Sequence, residues 1–308
     1  MKTAFKSFPQ TVVGVLVLGL FCVAIASFNG CSREESSVES NESKRKSTDD
    51  GESKRKATDD DEDANRGGFF GGGGSARGKM HCANNLKIIG IGVHNFHAVY
   101  KGLPPLYICD EDGKPLHSWR VLLLPFIEQQ KLYDSIRLDE PWDSEYNKQF
   151  HNRVVPEYSC PDNRSCKPGK DCTYAFIAGT VPGKDGSSSN GPFRPAINNS
   201  SPYDPGAWEP RDHMAWWRDG ASNQIIVVEV KEPFCWMDQT VDVTLDEISL
   251  GINKPNGRVG GFHSGGVNVL FGDGSTTFLR NSADPEKLRA LADVQDGIPV
   301  SLYDGMCY

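Results

Sequence analysis

Met80–Tyr100, MHCANNLKIIGIGVHNFHAVY, is the stretch that decides the fold. Leu86, Ile89, Val93, Phe96 and Tyr100 recur at three- and four-residue steps, with Lys87 and Asn95 elsewhere on the wheel. That spacing is the period of an amphipathic helix that buries one side. Gly102-Leu103-Pro104-Pro105 ends it, because neither Gly nor Pro continues a helix. A second helical segment starts behind Ser118 and runs through Trp119-Arg120-Val121-Leu122-Leu123-Leu124-Pro125-Phe126. Pro125 either kinks that segment or opens a new helix as its first residue. Trp119, Leu122, Leu123 and Phe126 share its buried face.

Further along, the period changes from helical to extended. Asp219-Gly220 turns the chain into Gln224-Ile225-Ile226-Val227-Val228-Glu229-Val230, a β-branched run suited to a strand covered on both faces. Val267, Val269 and Phe271 lead to Gly272-Asp273-Gly274-Ser275 and out through Thr277 and Leu279, and Asp-Gly between two such runs signals a hairpin. A last helix is marked by Asp284 as cap, Pro285 at its first position and Gly297 as its stop. The chain beyond Asp134 is rich in Pro, Gly, Asn and Ser, and Thr180 to Trp208 reads as a long surface excursion. One leading helix, a later antiparallel sheet and helical additions make the fold α+β.

Upstream of Met80 the composition changes. Lys2 and Lys6 precede an uninterrupted apolar run, Thr11 to Ala26, which is the layout of a secretory signal. The run is short for a spanning helix, which takes about 20 apolar residues. Phe28-Asn29-Gly30-Cys31 then resembles a bacterial lipobox, with Cys31 as the lipidated residue. Lipidation at Cys31, an uncleaved anchor and ordinary secretion all remain open, and export is common to the three. Residues 1–31 are therefore assigned to a signal peptide or membrane anchor. In 32–79, Glu42–Asp50 (ESKRKSTDD) recurs as Glu52–Asp60 (ESKRKATDD), with mixed charge and no aliphatic or aromatic residue. Such a segment cannot offset its ordering entropy and is expected to stay disordered. It runs into a Gly-rich tether around Phe69 and Phe70. The globular domain is expected over 80–308, exported, held at a membrane by its N-terminus and facing the periplasm or cell exterior.

The formal net charge is −8, which provides no basic field to hold a phosphate backbone, so nucleic acid is excluded as a partner class. No Gly-x-Ser-x-Gly elbow, phosphate loop or dinucleotide fingerprint occurs, so no catalytic residue and no cofactor is assigned.

Several blocks, in order, resemble the bacterial "domain of unknown function 1559" family: Cys82-Ala83-Asn84-Asn85-Leu86-Lys87 with His94-Asn95-Phe96-His97, Leu103-Pro104-Pro105, Ser118 to Pro125 with Glu128-Gln129, and Glu140-Pro141-Trp142-Asp143. Tyr158-Ser159-Cys160-Pro161 and Asp219 to Asn223 with Glu229 continue the series. His263 followed after nine residues by Asp273-Gly274 resembles the prepilin-associated His-x9-Asp-Gly signature of that family. The resemblance implies a pilin- or pseudopilin-like head, with the leading helix packed on an antiparallel sheet that carries long loop insertions. Members usually carry a prepilin signal and a long apolar helix just before the Cys-x-Asn-Asn-Leu block. Here that place is taken by the charged tether and the lipobox-like start, so the head is expected not to enter a filament in the ordinary way.

The remaining chemistry-bearing residues have structural and functional readings side by side. His263 and Asp273 bracket a strand and are expected near its opposite ends, with Asp273-Gly274 forming the turn and His263 bonded to a loop. A cation at that turn, for instance calcium, lacks a spaced run of oxygen ligands. His94 and His97 share a helix face, yet without a His-Glu-x-x-His pattern they read as packing residues, and no metal site is assigned. Glu229 closes its apolar strand and is expected to reach solvent at the strand end or to find a partner such as an Arg. The nine cysteines comprise Cys22, Cys31, Cys82, Cys109, Cys160, Cys166, Cys172, Cys235 and Cys307. Cys160, Cys166 and Cys172 are the candidates for a local disulfide. Trp208, Trp216, Trp217 and Trp236 either line a sugar or peptide site or are buried packing residues. The expected role is structural or interactive, presenting the loop region to a protein or surface polymer. A ligand-binding module of the cell envelope is the alternative.

Overall fold

The computed structural model describes residues 76–110, 112–163, 169–179, 191–193, 195, 214–298, 300 and 306. Cys31, where lipidation is expected, the tandem repeat and nearly all of the Thr180–Trp208 excursion lie outside them. Among the described residues no helix is long and apolar enough to cross a membrane.

The leading helix, α1 (Ala76–Tyr100), has 25 residues and starts earlier than Met80. Ala76, Arg77 and Lys79 are good helix formers, so the Gly-rich tether gives way to helix before the apolar period begins. Its buried side carries Leu86, Ile89, Val93, Phe96 and Tyr100, the period read from the sequence, with Cys82 and Asn85 added. A short hairpin, β1 (Tyr107–Cys109) with β2 (Pro115–Ser118), leads into α2 (Trp119–Leu123). Pro125 then sits in a separate 3-10 turn, Leu124–Phe126, so it opens a new turn rather than kinking the old helix. The short helix α3 (Gln130–Ser135) follows.

The main sheet is built from β3 (Cys172–Ala178), β4 (Ile225–Phe234), β5 (Val243–Thr244), β6 (Gly266–Phe271) and β7 (Thr276–Arg280), in the order β5-β3-β4-β6-β7. All neighbours are antiparallel except β3 and β5. The exception follows from the path: the chain reverses once after β4 and so runs along the outer edge of β3 in the direction of β3. The β6–β7 hairpin turns at Asp273-Gly274 as expected. The Asp273 side chain accepts the Ser275 N–H at 2.8 Å, and Gly274 has φ of 86°, which favours glycine.

Two further helices complete the chain. α4 (Leu245–Ile248) opens with a reciprocal capping box between Thr244 and Glu247. α5 (Pro285–Ala290) has the expected Asp284 cap and Pro285 start, but it stops well before Gly297. The Leu291 carbonyl accepts both the Ile225 N–H at 2.7 Å and the Gln224 side-chain amide at 2.8 Å, which ties this turn to the start of β4 instead of prolonging the helix.

Helix α1 packs on β6 and β7 on one side and on α2, the Leu124–Phe126 turn and the Pro156–Tyr158 turn on the other. Gly90 permits the close approach to the sheet: a Cβ there would stand 3.1 Å from Leu270 Cδ1. The second layer is fixed by a buried ion pair. Arg120 reaches Asp242 at 2.8 Å, and Asp242 also accepts from Trp119 Nε1 and the Phe176 N–H. The Trp119 ring stacks on Phe176 at 3.7 Å, and Phe193 stacks on the far side of Phe176, which anchors one point of the long excursion in the core.

Candidate functional site

The β-sheet register places a row of side chains under the first turns of α1. Tyr174 of β3 lies opposite Glu229 of β4, and Asn268 of β6 lies opposite Phe278 of β7. The Asn268 N–H donates to Glu229 Oε2 at 2.7 Å, which joins the two pairs into one row. Lys79 of α1 sits over the Phe278 ring, and Cys82, one turn further, looks down on the row.

Two other segments converge there. Cys160 comes from the turn after Pro156–Tyr158, which α1 holds through Asn85: its amide donates to the carbonyls of Pro156 and Ser159 at 3.2 and 3.0 Å. The Cys160 N–H is itself bound by Thr173 Oγ1 at 3.0 Å. His263 comes from the loop before β6, which the Gly260 N–H ties to the Glu229 carbonyl at 3.1 Å. Asp162 lies against Gly78 in the first turn of α1, where any Cβ would collide with its carboxylate and where a negative charge is favoured by the helix N-terminus.

The result is a buried cluster. The Cys82 and Cys160 sulfurs and a His263 ring nitrogen all lie within 4.8 Å of one another. His263 Nε2 stands 3.6 Å from Cys160 Sγ and 3.3 Å from Glu229 Oε1. His263 Nδ1 lies 3.2 Å from Asp162 Oδ2, at ion-pair distance but off the axis of a well-formed hydrogen bond. The Asn268 amide adds a second bond to Glu229, at 3.2 Å. Glu229 is 1% exposed and His263 4%, so neither is screened by bulk water, whereas the Asp162 side chain keeps 21% of its surface exposed.

The electrostatics follow from this burial. The hydrogen bond with Cys82 lowers the Cys160 thiol most; burial opposes it, His263 adds to it, and the thiol settles at about 6. The Cys82 thiol moves the opposite way, pushed well up by that same bond, by burial and by the Glu229 charge. For His263, burial works against the proton, but the bonds to Cys160 and Glu229 outweigh it and raise the imidazole to about 10.

Several expectations are resolved here. Of the two expectations for Glu229, the buried partner is the one the structure shows, with His263 in the place of an Arg: β4 continues to Phe234, so the carboxylate is central in the sheet and is held by His263 and Asn268. The disulfide expected among Cys160, Cys166 and Cys172 does not join Cys160 to Cys172, since both are free thiols. Cys160 faces Cys82 and His263, whereas the Cys172 thiol faces the Tyr174 carbonyl at 3.6 Å; Cys166 lies outside the described residues. His263 and Asp273 do fall on either side of β6, and His94 packs beside the turn, with Nε2 at 3.7 Å from where a Gly274 Cβ would stand.

Two of the candidate tryptophans, Trp217 and Trp236, have described side chains, and both are buried. Trp217 is 4% exposed and lies against Gly272, whereas Trp236 is 1% exposed and donates to the Phe150 carbonyl. Trp208 and the side chain of Trp216 lie outside the described residues. A surface groove of about 500 Å³ is lined by Trp142, His151, Lys170, Phe234 and Asp238 among others, none of them a candidate tryptophan. Sequence reasoning assigned no site role to Cys82, Asp162 or Asn268. Cys82 stood in a recognised block, but nothing in its spacing pointed to residues so far along the chain.

Set beside known families, this α+β head has a defined place. A model described as Protein of unknown function (DUF1559) matches residues 74–234, from the start of α1 to the end of β4. The chain belongs to that family. No curated protein and no solved structure matches the chain.

Proposed function

We propose that this chain is a non-enzymatic, membrane-tethered, pilin-like protein of the cell envelope that acts by structure or by interaction with a protein or surface polymer. The observation that carries the reading is the way α1 is laid along β6 and β7 of an antiparallel sheet, the arrangement expected of a pilin-like head. The sequence supplies the rest: an apolar run and Cys31 for export and anchoring, and a charged spacer in place of the apolar half-helix that would join a filament.

The solvent side of α1 supports the interaction role. Met80, Ile88 and Ile91 are 68%, 37% and 58% exposed and fall within one stripe of the helix, where large apolar side chains have no folding role to explain them. The ligand-binding alternative draws no support from Trp217 and Trp236, which are both buried.

Crosslinking of the tagged, membrane-localised protein in its own cells tests the proposal. A discrete crosslinked partner is expected, and it should be lost when Ile88 and Ile91 are both replaced by Glu while stability changes by no more than about 0.5 kcal/mol. Crosslinking that ignores this pair and maps to the groove near Trp142 and His151 would favour the ligand-binding alternative.

A further inference from the structure

We propose that Cys82, Cys160 and His263 bind a zinc ion that clamps α1 to the sheet. The distances carry the argument. A tetrahedral zinc with bonds of about 2.3 Å to sulfur and about 2.0 Å to nitrogen sets sulfur and nitrogen roughly 3.5 Å apart. The observed separation is 3.6 Å from Cys160 Sγ to His263 Nε2, and the three donor atoms all lie within 4.8 Å of one another.

Hydrogen bonding alone explains this arrangement poorly. Nε2 has one proton or one lone pair, yet it faces a sulfur and a carboxylate oxygen at once. A disulfide between Cys82 and Cys160 would use the two sulfurs but give no reason for His263 and Glu229 to converge on the same point. A metal ion gives the two sulfurs and Nε2 one partner. Asp162 stands at ion-pair distance from His263 Nδ1, leaving Nε2 to bind, and Glu229, held by two bonds from Asn268, lies beside the site.

Two thiolates and an imidazole form a donor set that suits zinc. The three ligands come from α1, the 156–160 turn and the loop before β6, so the ion would join the leading helix to two segments that lie against the sheet.

The test is made on the full chain as isolated from its native membranes. Metal analysis should find one equivalent of zinc, and mass spectrometry with alkylation should find Cys82 and Cys160 as thiols that become reactive only after a chelator is added. Chelation should lower the melting temperature, and added zinc should restore it. Replacement by cobalt should give the absorption of a tetrahedral thiolate site. The C82S, C160S and H263A variants should lose the metal, with C109S as the control that keeps it. D162N should bind zinc about 10- to 100-fold more weakly in competition with a chromogenic chelator, a readout that a purely structural residue would not move. A Cys82–Cys160 disulfide in the isolated chain, a different metal or no stoichiometric metal would overturn the proposal, and these measurements do not depend on any variant folding.

Discussion

His117 shows what a single buried side chain contributes. It is fully buried at the end of β2, with Nε2 donating to the Arg137 carbonyl at 3.2 Å. Burial disfavours the charged ring and lowers it to about 4, against which the surrounding backbone carbonyls work only partly. The unfolded chain takes up this proton near 6.5, so between roughly pH 6.5 and 4 the unfolded state holds more protons and stability falls as the pH falls. The loss over that window should approach about 3 kcal/mol, and it should be followed by urea midpoints taken across it. His117→Gln, which keeps a donor for the Arg137 carbonyl but cannot be charged, should flatten the acid limb; an unchanged slope would show that other groups set it. At this scale the sequence was silent, because nothing in Pro115-Leu116-His117-Ser118 distinguishes a buried neutral His from an exposed one.

Between elements, the ion pair of Arg120 and Asp242 is the contact most sensitive to change. It ties α2 to the segment entering β5, with Arg120 also donating to the Tyr174 carbonyl at 2.9 Å and lying over the rings of Trp119 and Phe234. Asp242→Ala would strand a buried guanidinium and should cost about 3–5 kcal/mol, measured by denaturant unfolding. The double change Arg120→Met with Asp242→Leu should cost less than Asp242→Ala alone, because it removes both charges rather than exposing one. Equal costs would mean that packing, not charge, dominates there.

The same scale shows where sequence reading works. The face of α1, the Asp273-Gly274 hairpin and the Asp284-Pro285 helix start were legible because each is written in residues a few positions apart. The parallel pairing of β5, the early end of α5 and the partner of Glu229 were not, because each depends on which distant strand or turn claims a given edge or carbonyl. The Cys82–Cys160–His263 cluster is the extreme case: its members sit in three segments with unrelated local patterns, and only the folded register brings them together.

For the molecule as a whole, the account joins a head with a firmly seated leading helix to a start that reads as an export and anchoring sequence. Helix α1 is covered by the sheet on one side and by α2 with its following turn on the other. In the proposed reading, the charged stretch between Glu42 and Asp60 is the spacer that would hold the domain at a membrane instead of in a filament. The most direct measurement is to shear filaments from native cells, separate them from membranes and locate this chain by quantitative mass spectrometry. The account predicts recovery with the membranes through a modified or retained N-terminus; enrichment as an integral subunit of the purified filaments would contradict it.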